Sequence, residues 1–478
     1  MSSRVIHDAG IGGNARRPWG LQWRSSVWYV TLGTNSFTGV TTDLLVYSLI
    51  VPVVPFRLEA LGYSGVSGLV GWLLFAYSAG LVAFTPPIAQ LSERFNARKI
   101  PLLIGQVALI GAQIMLMLAP SYWLMVLARV FQGLSSSVIW VVGLALLCDT
   151  VPEKTVARQL GIAMSGLSIG FLVGPPVAGA LYNSFGFHGP FIFGITVTAF
   201  DLIARLILVE RHHALRWDPE RHATPAPECG DLSDPPSTAP VTNTTNHDET
   251  HEDTTARQSN EPSHLSLLAV LGKLLRSSRA LATCFSTLIY GMILTSQEPA
   301  LPLYLQASWR LNSSKVGLVY IAAVVPTLFS STIAGWWVDR IGTGLITVVS
   351  LLFALPWLGL LIVQKSLAFF IVMFALSNFA VSGTVSALTA ELATISRRLD
   401  GVGYAHVYGA FNLSYGIGSG LGPVIGGQLY DHLERGWMAI CLFGIGLSVI
   451  AIFLALVFYG DETLFTQLTR NFKRSREN

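Results

Sequence analysis

Three ionisable side chains of this 478-residue chain stand where water is scarce. Asp43 and Arg129 lie within long apolar runs, and Glu298 lies at Glu298-Pro299-Ala300-Leu301-Pro302 in a third. A carboxylate in a low-dielectric setting is costly to ionise, so it takes up and releases protons closer to neutrality than an exposed one does. An arginine inside such a run costs at least about 2.5 kcal/mol and must face a polar cavity or a carboxylate, unless it snorkels to an interface. The chemistry these residues offer is reversible binding of protons and ions. No nucleophile, metal-ligand cluster or cofactor motif accompanies them. The glycines of Gly416-Ile417-Gly418-Ser419-Gly420 sit in an apolar run, which argues against a phosphate loop. No enzyme activity, cofactor, metal or nucleic acid is expected. The four cysteines, Cys148, Cys229, Cys284 and Cys441, follow no disulfide or metal spacing.

The elements that position these groups are membrane helices. Hydrophobic residues make up 52% of the chain and charged ones only 12%, about half the charge of a soluble domain, and the mean hydropathy is +0.55. A crossing needs roughly 20 apolar residues. Spans are expected near 28–55, 67–90, 100–119, 123–147, 161–182 and 190–209, then near 281–305, 315–338, 343–364, 366–391, 403–429 and 436–459. The expected fold is an all-α membrane protein of twelve transmembrane helices in two six-helix bundles. Its parts are a cytoplasmic N-terminal tail (1–27), an N-terminal bundle (28–209), a polar and mostly disordered linker (210–280), a C-terminal bundle (281–459) and a basic tail (460–478).

Internal repetition makes the two bundles copies of each other. Gly161, Gly170, Gly174-Pro175 and Gly179 recur at Gly409, Gly418, Gly422-Pro423 and Gly427, 248 residues later. Pro52 and Pro55 recur at Pro299 and Pro302, and Glu93-Arg94 at Asp339-Arg340. A duplicated membrane bundle is a common plan of carriers that work by alternating access. Lys and Arg set the orientation: Arg16, Arg17, Arg98, Lys99, Lys154, Arg158, Arg397, Arg398 and Lys473 share one side, against Arg57, Arg310, Lys315, Lys365 and Arg435 on the other. By the positive-inside rule the termini and linker are cytoplasmic. Asn312-Ser313-Ser314 is then a glycosylation sequon on an outer loop, or a chance match, while Asn243-Thr244-Thr245 in the linker stays unmodified.

The motifs are specific enough to carry a family resemblance. Glu93-Arg94-Phe95-Asn96-Ala97-Arg98-Lys99 resembles, in degenerate form, the loop signature of the major facilitator superfamily, and Asp339-Arg340-Ile341-Gly342 is its better-preserved second copy. Leu127-Ala128-Arg129-Val130-Phe131-Gln132-Gly133 resembles the family's fourth-span motif. The glycine run through Gly170, Gly174 and Pro175 resembles the fifth-span motif of its antiporters. With Asp43, Val51-Pro52-Val53-Val54-Pro55, Glu298 and Gly422-Pro423, the membrane part is similar to the vesicular monoamine transporter branch of the drug:proton antiporters. The resemblance implies a carrier with Asp43, Glu298, Arg129 and Asn412 at its substrate and proton site. It assigns Glu93, Arg94, Asp339, Arg340, Gly170, Gly174, Pro175, Gly418, Gly422 and Pro423 to gating. The bland alternatives are charges that fix topology and glycines that merely pack helices.

The departures bear on cargo. Asn412 stands where the amine carriers have an acid, neutral residues occupy Thr384 to Ser386 where another acid is expected, and Tyr77 or Ser78 replaces a lysine. The resemblance then implies a shared mechanism with a different, less cationic organic cargo. Asp43 and Glu298 are expected about 12 Å apart in depth, as two stations along one cavity. Asp201 and Arg205, one turn apart, are expected to pair structurally, and Trp140, Trp336, Trp337 and Trp357 to pack or to mark the interface, with stacking on a planar cargo as the alternative. The remaining expectations are proton-coupled efflux of a drug, toxin or secondary metabolite, by a monomer in the lipid bilayer of the plasma membrane. Vacuolar or vesicular loading of amines or polyamines is a second possibility, and a non-transporting sensor a third. Deleting residues 215–262 should leave flux intact; loss of a cytosolic signal with flux unchanged would favour the sensor.

Overall fold

The structure is a computed structural model and describes residues 25–95, 99–150, 153–207, 272, 276–398 and 404–460. Fourteen helices make the twelve crossings of the described residues. The first half contains α1 (Ser25–Ile50), α2 (Val54–Ala60), α3 (Val66–Phe95), α4 (Lys99–Leu118), α5 (Tyr122–Thr150), α6 (Glu153–Phe185) and α7 (His188–Ile207). The second contains α8 (Ser278–Thr295), α9 (Leu301–Trp309), α10 (Ser313–Ile341), α11 (Thr343–Leu360), α12 (Leu367–Arg398), α13 (Tyr404–His432) and α14 (Gly436–Phe458). Nine described helical segments are long and apolar enough to span by length and composition. The other crossings, α6, α8–α9 and α13, dilute their apolar residues with glycine, serine and threonine, as helices lining a polar interior must.

The first crossing of each half is broken at its prolines. Residues 51–53 form a turn between α1 and α2, and residues 296–300 a turn between α8 and α9. Pro52 and Pro299 disfavour helix in the residue before them, and Pro55 and Pro302 suit the first turn of the helix that restarts. Glu298 sits in the second break, so a carboxylate leaves the chain where the backbone turns away from the helix axis. The expected linker segment ended at 280, yet α8 already begins at Ser278. The Ser277 hydroxyl accepts the Ala280 N–H at 3.4 Å, and Arg279 pairs with Glu391, which together hold this end helical. The rest of that segment, apart from Gly272 and residues 276–277, lies outside the described residues.

Crossings α4, α7, α11 and α14 lie at the rim and turn apolar side chains outward, Phe200 on α7 (69% exposed) and Phe453 on α14 (62% exposed) among them. In lipid this is the stable arrangement. The glycine motif holds the inner crossings together. Gly170 and Gly174 admit Thr41, Leu45 and Ser48 of α1, and a Cβ at Gly170 would come within 2.8 Å of the Leu44 Cβ. Gly418 and Gly422 do the same for α8, where a Cβ at Gly422 would lie 2.8 Å from the Met292 carbonyl.

The two halves meet along two seams related by the repeat. In one, α3 packs on α13, with Gly427 against the Ser67 carbonyl and Gly71 against that of Pro423. In the other, α10 packs on α6, with Gly179 against the Ser313 carbonyl and Gly317 against that of Pro175. Both seams are tight at the membrane face remote from the termini. The Gly68 N–H donates to Asp431 Oδ2 (2.5 Å) across the first, and the Ser313 hydroxyl to the Gly179 carbonyl (3.2 Å) across the second. A Cβ on Gly427 would sit 2.5 Å from the Ser67 carbonyl oxygen. Overpacking costs about 1–3 kcal/mol, so Gly427→Val should raise labelling of a Ser67→Cys reporter by an impermeant maleimide roughly tenfold. Gly446→Val, with open space around it, should leave that labelling unchanged.

Candidate functional site

The polar centre of the protein is assembled around Arg129. Its helix, α5, packs against α3, and the side chain has no solvent exposure. That burial excludes an arginine snorkelling to the interface. Nε donates to the Leu73 carbonyl (3.2 Å), and Nη1 to Gln132 Oε1 one turn on (2.8 Å). The guanidinium lies 5.2 Å from the ring centre of Tyr47 and 4.8 Å from that of Tyr77, a cation–π contact with each. Neither Asp43 nor Glu298 forms a salt bridge with Arg129, although both feel its charge.

The two acids are held at opposite ends of this cluster. Asp43 is 1% exposed and gathers three donors on Oδ2: the Ser136 hydroxyl (2.6 Å), Trp140 Nε1 (2.9 Å) and the Tyr77 hydroxyl (3.3 Å). Its other oxygen is buried without a partner. Trp140, expected to pack or to mark an interface, instead spends its N–H on this carboxylate. Glu298 is half-buried and accepts the Tyr47 hydroxyl on Oε2 at 2.9 Å, across the boundary between the halves. The Tyr47 and Tyr77 ring centres are 4.8 Å apart, and Phe171 closes on Tyr47 edge-on at 5.9 Å. From the second half, Tyr320 of α10 and Tyr415 of α13 lie within electrostatic reach of Glu298, and Phe411 stacks parallel to Tyr415. The acids therefore occupy two stations joined by aromatic rings, with one cation against the rings.

Asn412 is half-buried on α13 one turn before Tyr415, and no hydrogen bond joins it to this cluster among the described residues. Gly170, Gly174, Gly418 and Gly422 set helix spacing within each half, and the Pro175 and Pro423 carbonyls face the other half at the seams. Arg340 is exposed and lies 3.7 Å from the Trp336 ring centre. The side chains of Glu93, Arg94 and Asp339 lie outside the described residues. Asn312 is exposed and caps α10, accepting the Lys315 N–H at 3.1 Å, while its Nδ2, the atom a glycan would join, approaches Asn183 Oδ1 at 3.4 Å.

Two further charged groups are structural. Asp201 and Arg205 pair at 2.9 Å, and Asp201 also accepts from Thr38 (2.9 Å) and Gln106, tying α7 to α1 and α4. Glu391 on α12 has no solvent exposure and was not singled out in the sequence. It pairs with Arg279 of α8, accepts the Thr343 hydroxyl at the start of α11, and takes the Gly460 N–H beyond α14 at 3.4 Å. An acid in a stretch of polar and small residues was the available signal, but its partner lies 112 positions away, in a segment that reads as linker.

The comparisons with known proteins agree with this architecture. The pattern described as Major Facilitator Superfamily matches residues 36–293 and 283–475. The chain belongs to the Major Facilitator Superfamily. Among major facilitator relatives it is 26% identical over 422 residues to an uncharacterized MFS-type transporter C18.02 of Schizosaccharomyces pombe, covering 84% of this chain and 90% of that one. It is 23% identical over 390 residues to the synaptic vesicular amine transporter of Rattus norvegicus, covering 80% and 66%. A bacterial homolog of the human lysosomal transporter Spinster, solved in an inward-facing and unoccupied conformation, shares the major facilitator fold with a TM-score of 0.65 at 15% identity, covering 91% and 97%. This protein is a multi-pass membrane transporter of the superfamily, with twelve crossings in two pseudo-symmetric bundles.

Glu391 has no solvent exposure and joins α8, the start of α11 and the residue beyond α14 through Arg279, Thr343 and Gly460. Glu391→Leu should lower the melting temperature in detergent by several degrees, and Glu391→Gln, which keeps an acceptor for Thr343 and Gly460, should lower it less.

Proposed function

We propose that this transporter is a proton-coupled antiporter that exports a small organic compound by alternating access. The reading rests on Asp43 and Glu298 sharing one buried guanidinium. With both acids ionised, the three groups sum to one negative charge in a medium where net charge is expensive. One proton or one monocationic guest neutralises the site, and the two compete for it. A guest of higher positive charge would leave the site charged, so the cargo carries at most one. The aromatic faces of Tyr47, Tyr415 and Phe411 suit a planar or quaternary cargo, by stacking and cation–π contact.

The polarity of the reading follows from the basic residues: cytoplasmic termini put the tight ends of both seams at the outer face, and cargo is collected from the cytoplasm. Protons enter from the far side and leave inward. The plasma membrane is the favoured location, with Asn312 available for glycosylation once its amide leaves Asn183. Vesicular or vacuolar amine loading is the second reading. The likeness to a synaptic vesicular amine transporter and the two retained acids favour it, while Asn412 speaks against it.

The deciding experiment reconstitutes the whole chain in liposomes and follows proton release while cationic, neutral and acidic compounds are screened. A compound that drives proton movement, with the response lost in Asp43→Asn and in Glu298→Gln, is the expected result. Flux without proton movement, or indifferent to both substitutions, would make the protein a facilitator and leave the acids structural.

A further inference from the structure

Tyr47 and Tyr77 stand out once the acids are placed. Neither carries a charge, Tyr47 belongs to no family motif quoted above, Tyr77 is at or beside the amine carriers' lysine position, and both are buried between the acids. Among the described residues Tyr47 is the one hydrogen-bond donor to Glu298, and it reaches from the N-terminal half to an acid of the C-terminal half. Tyr77 donates to Asp43 and stands 2.8 Å from the Ser136 hydroxyl, which donates to the same acid. The two rings touch, and Arg129 lies against both.

We propose that Tyr47 is a positioning residue for Glu298, and that the Tyr47–Tyr77 pair braced by Arg129 links the protonation of Glu298 to that of Asp43. The inference rests on the proton-coupled reading above. A hydroxyl donated to a carboxylate favours its ionised form. The bond spans the boundary between the halves, so it breaks whenever they separate at this depth. Glu298 is then steered toward release of its proton in the state seen here, closed at the face remote from the termini, and toward uptake when undocked. This is the order an exporter of the proposed polarity needs, because its proton must leave on the side where cargo enters. No proton passes through the phenol; Tyr47 acts only as a donor.

The groups around each acid leave few competitors for this role. Facing Glu298 are Tyr47 from α1, Arg129 from α5, Tyr320 from α10 and Tyr415 from α13. Facing Asp43 are Tyr77 from α3 with Ser136, Trp140 and Arg129 from α5. Of the Glu298 set, Tyr47 alone makes a hydrogen bond to it. Asp43 keeps Ser136 and Trp140 if Tyr77 is altered, so the link is most exposed at its Glu298 end.

The test needs no knowledge of the cargo. Infrared titration of the full chain in liposomes follows the carbonyl stretch of protonated carboxyl groups, with the Glu298 and Asp43 bands identified by their loss in Glu298→Gln and Asp43→Asn. Tyr47→Phe keeps the ring, its contact with Tyr77 and its contact with Arg129, and removes only the donor. The Glu298 midpoint should move up by about one pH unit, the size expected for one hydrogen bond to a carboxylate, and the Asp43 midpoint should move down by less, because a more readily protonated Glu298 leaves more of the Arg129 charge to Asp43. Tyr320→Phe, which removes a hydroxyl near Glu298 that is not bonded to it, should leave both midpoints in place. A Glu298 midpoint unmoved in Tyr47→Phe, or moved equally in Tyr320→Phe, overturns the positioning role. An Asp43 midpoint indifferent to Tyr47→Phe overturns the link. Absence of any Glu298 titration defeats the proton-coupled reading itself, and is distinguishable because it appears already in the unaltered protein.

Discussion

Burying one guanidinium in a membrane interior is the constraint from which the rest of this structure follows. Charge cannot be left there unmatched, and the backbone of a spanning helix has already used its own hydrogen-bonding groups. Arg129 is therefore matched piecemeal, by the Leu73 carbonyl, the Gln132 side chain and two aromatic faces. None of these neutralises it. The neutralising charges are carboxylates held outside contact range, and a charge balanced at a distance stays responsive to whatever enters between. Arg279 and Glu391, by contrast, are in direct contact, and Glu391 takes the Thr343 hydroxyl and the Gly460 N–H as well. The same two residue types thus build a direct ion pair in one place and a looser charged cluster in another, and contact separates the two arrangements.

The glycines solve the complementary problem of letting the halves approach without polar glue. Along α6, Gly170 and Gly174 receive α1 of the same half, while Pro175 and Gly179, on the next turn, receive α10 of the other. Helix α13 repeats the arrangement 248 residues later with α8 and α3. One helix is thereby fixed to its own bundle on one face and detachable from the opposite bundle on another. The seams differ in their polar contacts: the Ser313 hydroxyl donates to Gly179 in the second while that of its counterpart Ser67 has no partner among the described residues, and Asp431 of the first, which accepts the Gly68 N–H, has Asn183 as its repeat counterpart in the second. A charge-assisted contact to the start of α3 faces a weaker amide–amide contact across the pseudo-twofold. The halves are hinged by symmetric packing and secured by asymmetric chemistry.

Much of this was legible in the sequence because it is carried by spacing. The crossings show as runs of apolar residues, the breaks in the first crossing of each half as paired prolines, and the seams as repeated glycines. Asp201 and Arg205 show as an i, i+4 pair. What spacing does not carry was hidden. Tyrosines inside apolar runs look like any other large side chain, so nothing in the chain marked Tyr47 and Tyr77 as the connection between the acids. Trp140 read as packing because a ring in a membrane helix usually is, and its indole N–H matters only when an acceptor 97 residues away is brought to it. Glu391 was masked by the distance to its partner and by the linker-like composition around Arg279.

The departures from the amine-carrier pattern gain meaning from the same electrostatics. A lysine replaced near Tyr77 and an acid replaced by Asn412 look separately like losses of function. Together they remove charges of opposite sign and leave the remaining balance resting on Asp43, Glu298 and Arg129. A denser network has several nearly neutral arrangements, so it tolerates more than one occupancy of protons and cargo. On the proton-coupled reading proposed above, the neutral state of these three charges is reached by adding one positive charge, either a proton or one carried on a cargo molecule. Placing a hydroxyl, that of Tyr77 or of Ser78, where the amine carriers have a lysine also changes what the site reads. A lysine senses an acid by its charge over several ångströms, whereas a hydroxyl senses it only while hydrogen-bonded. Contact between the halves enters by a different residue, Tyr47, whose hydroxyl reaches Glu298 of the other bundle and can hold it only while the two bundles are docked there.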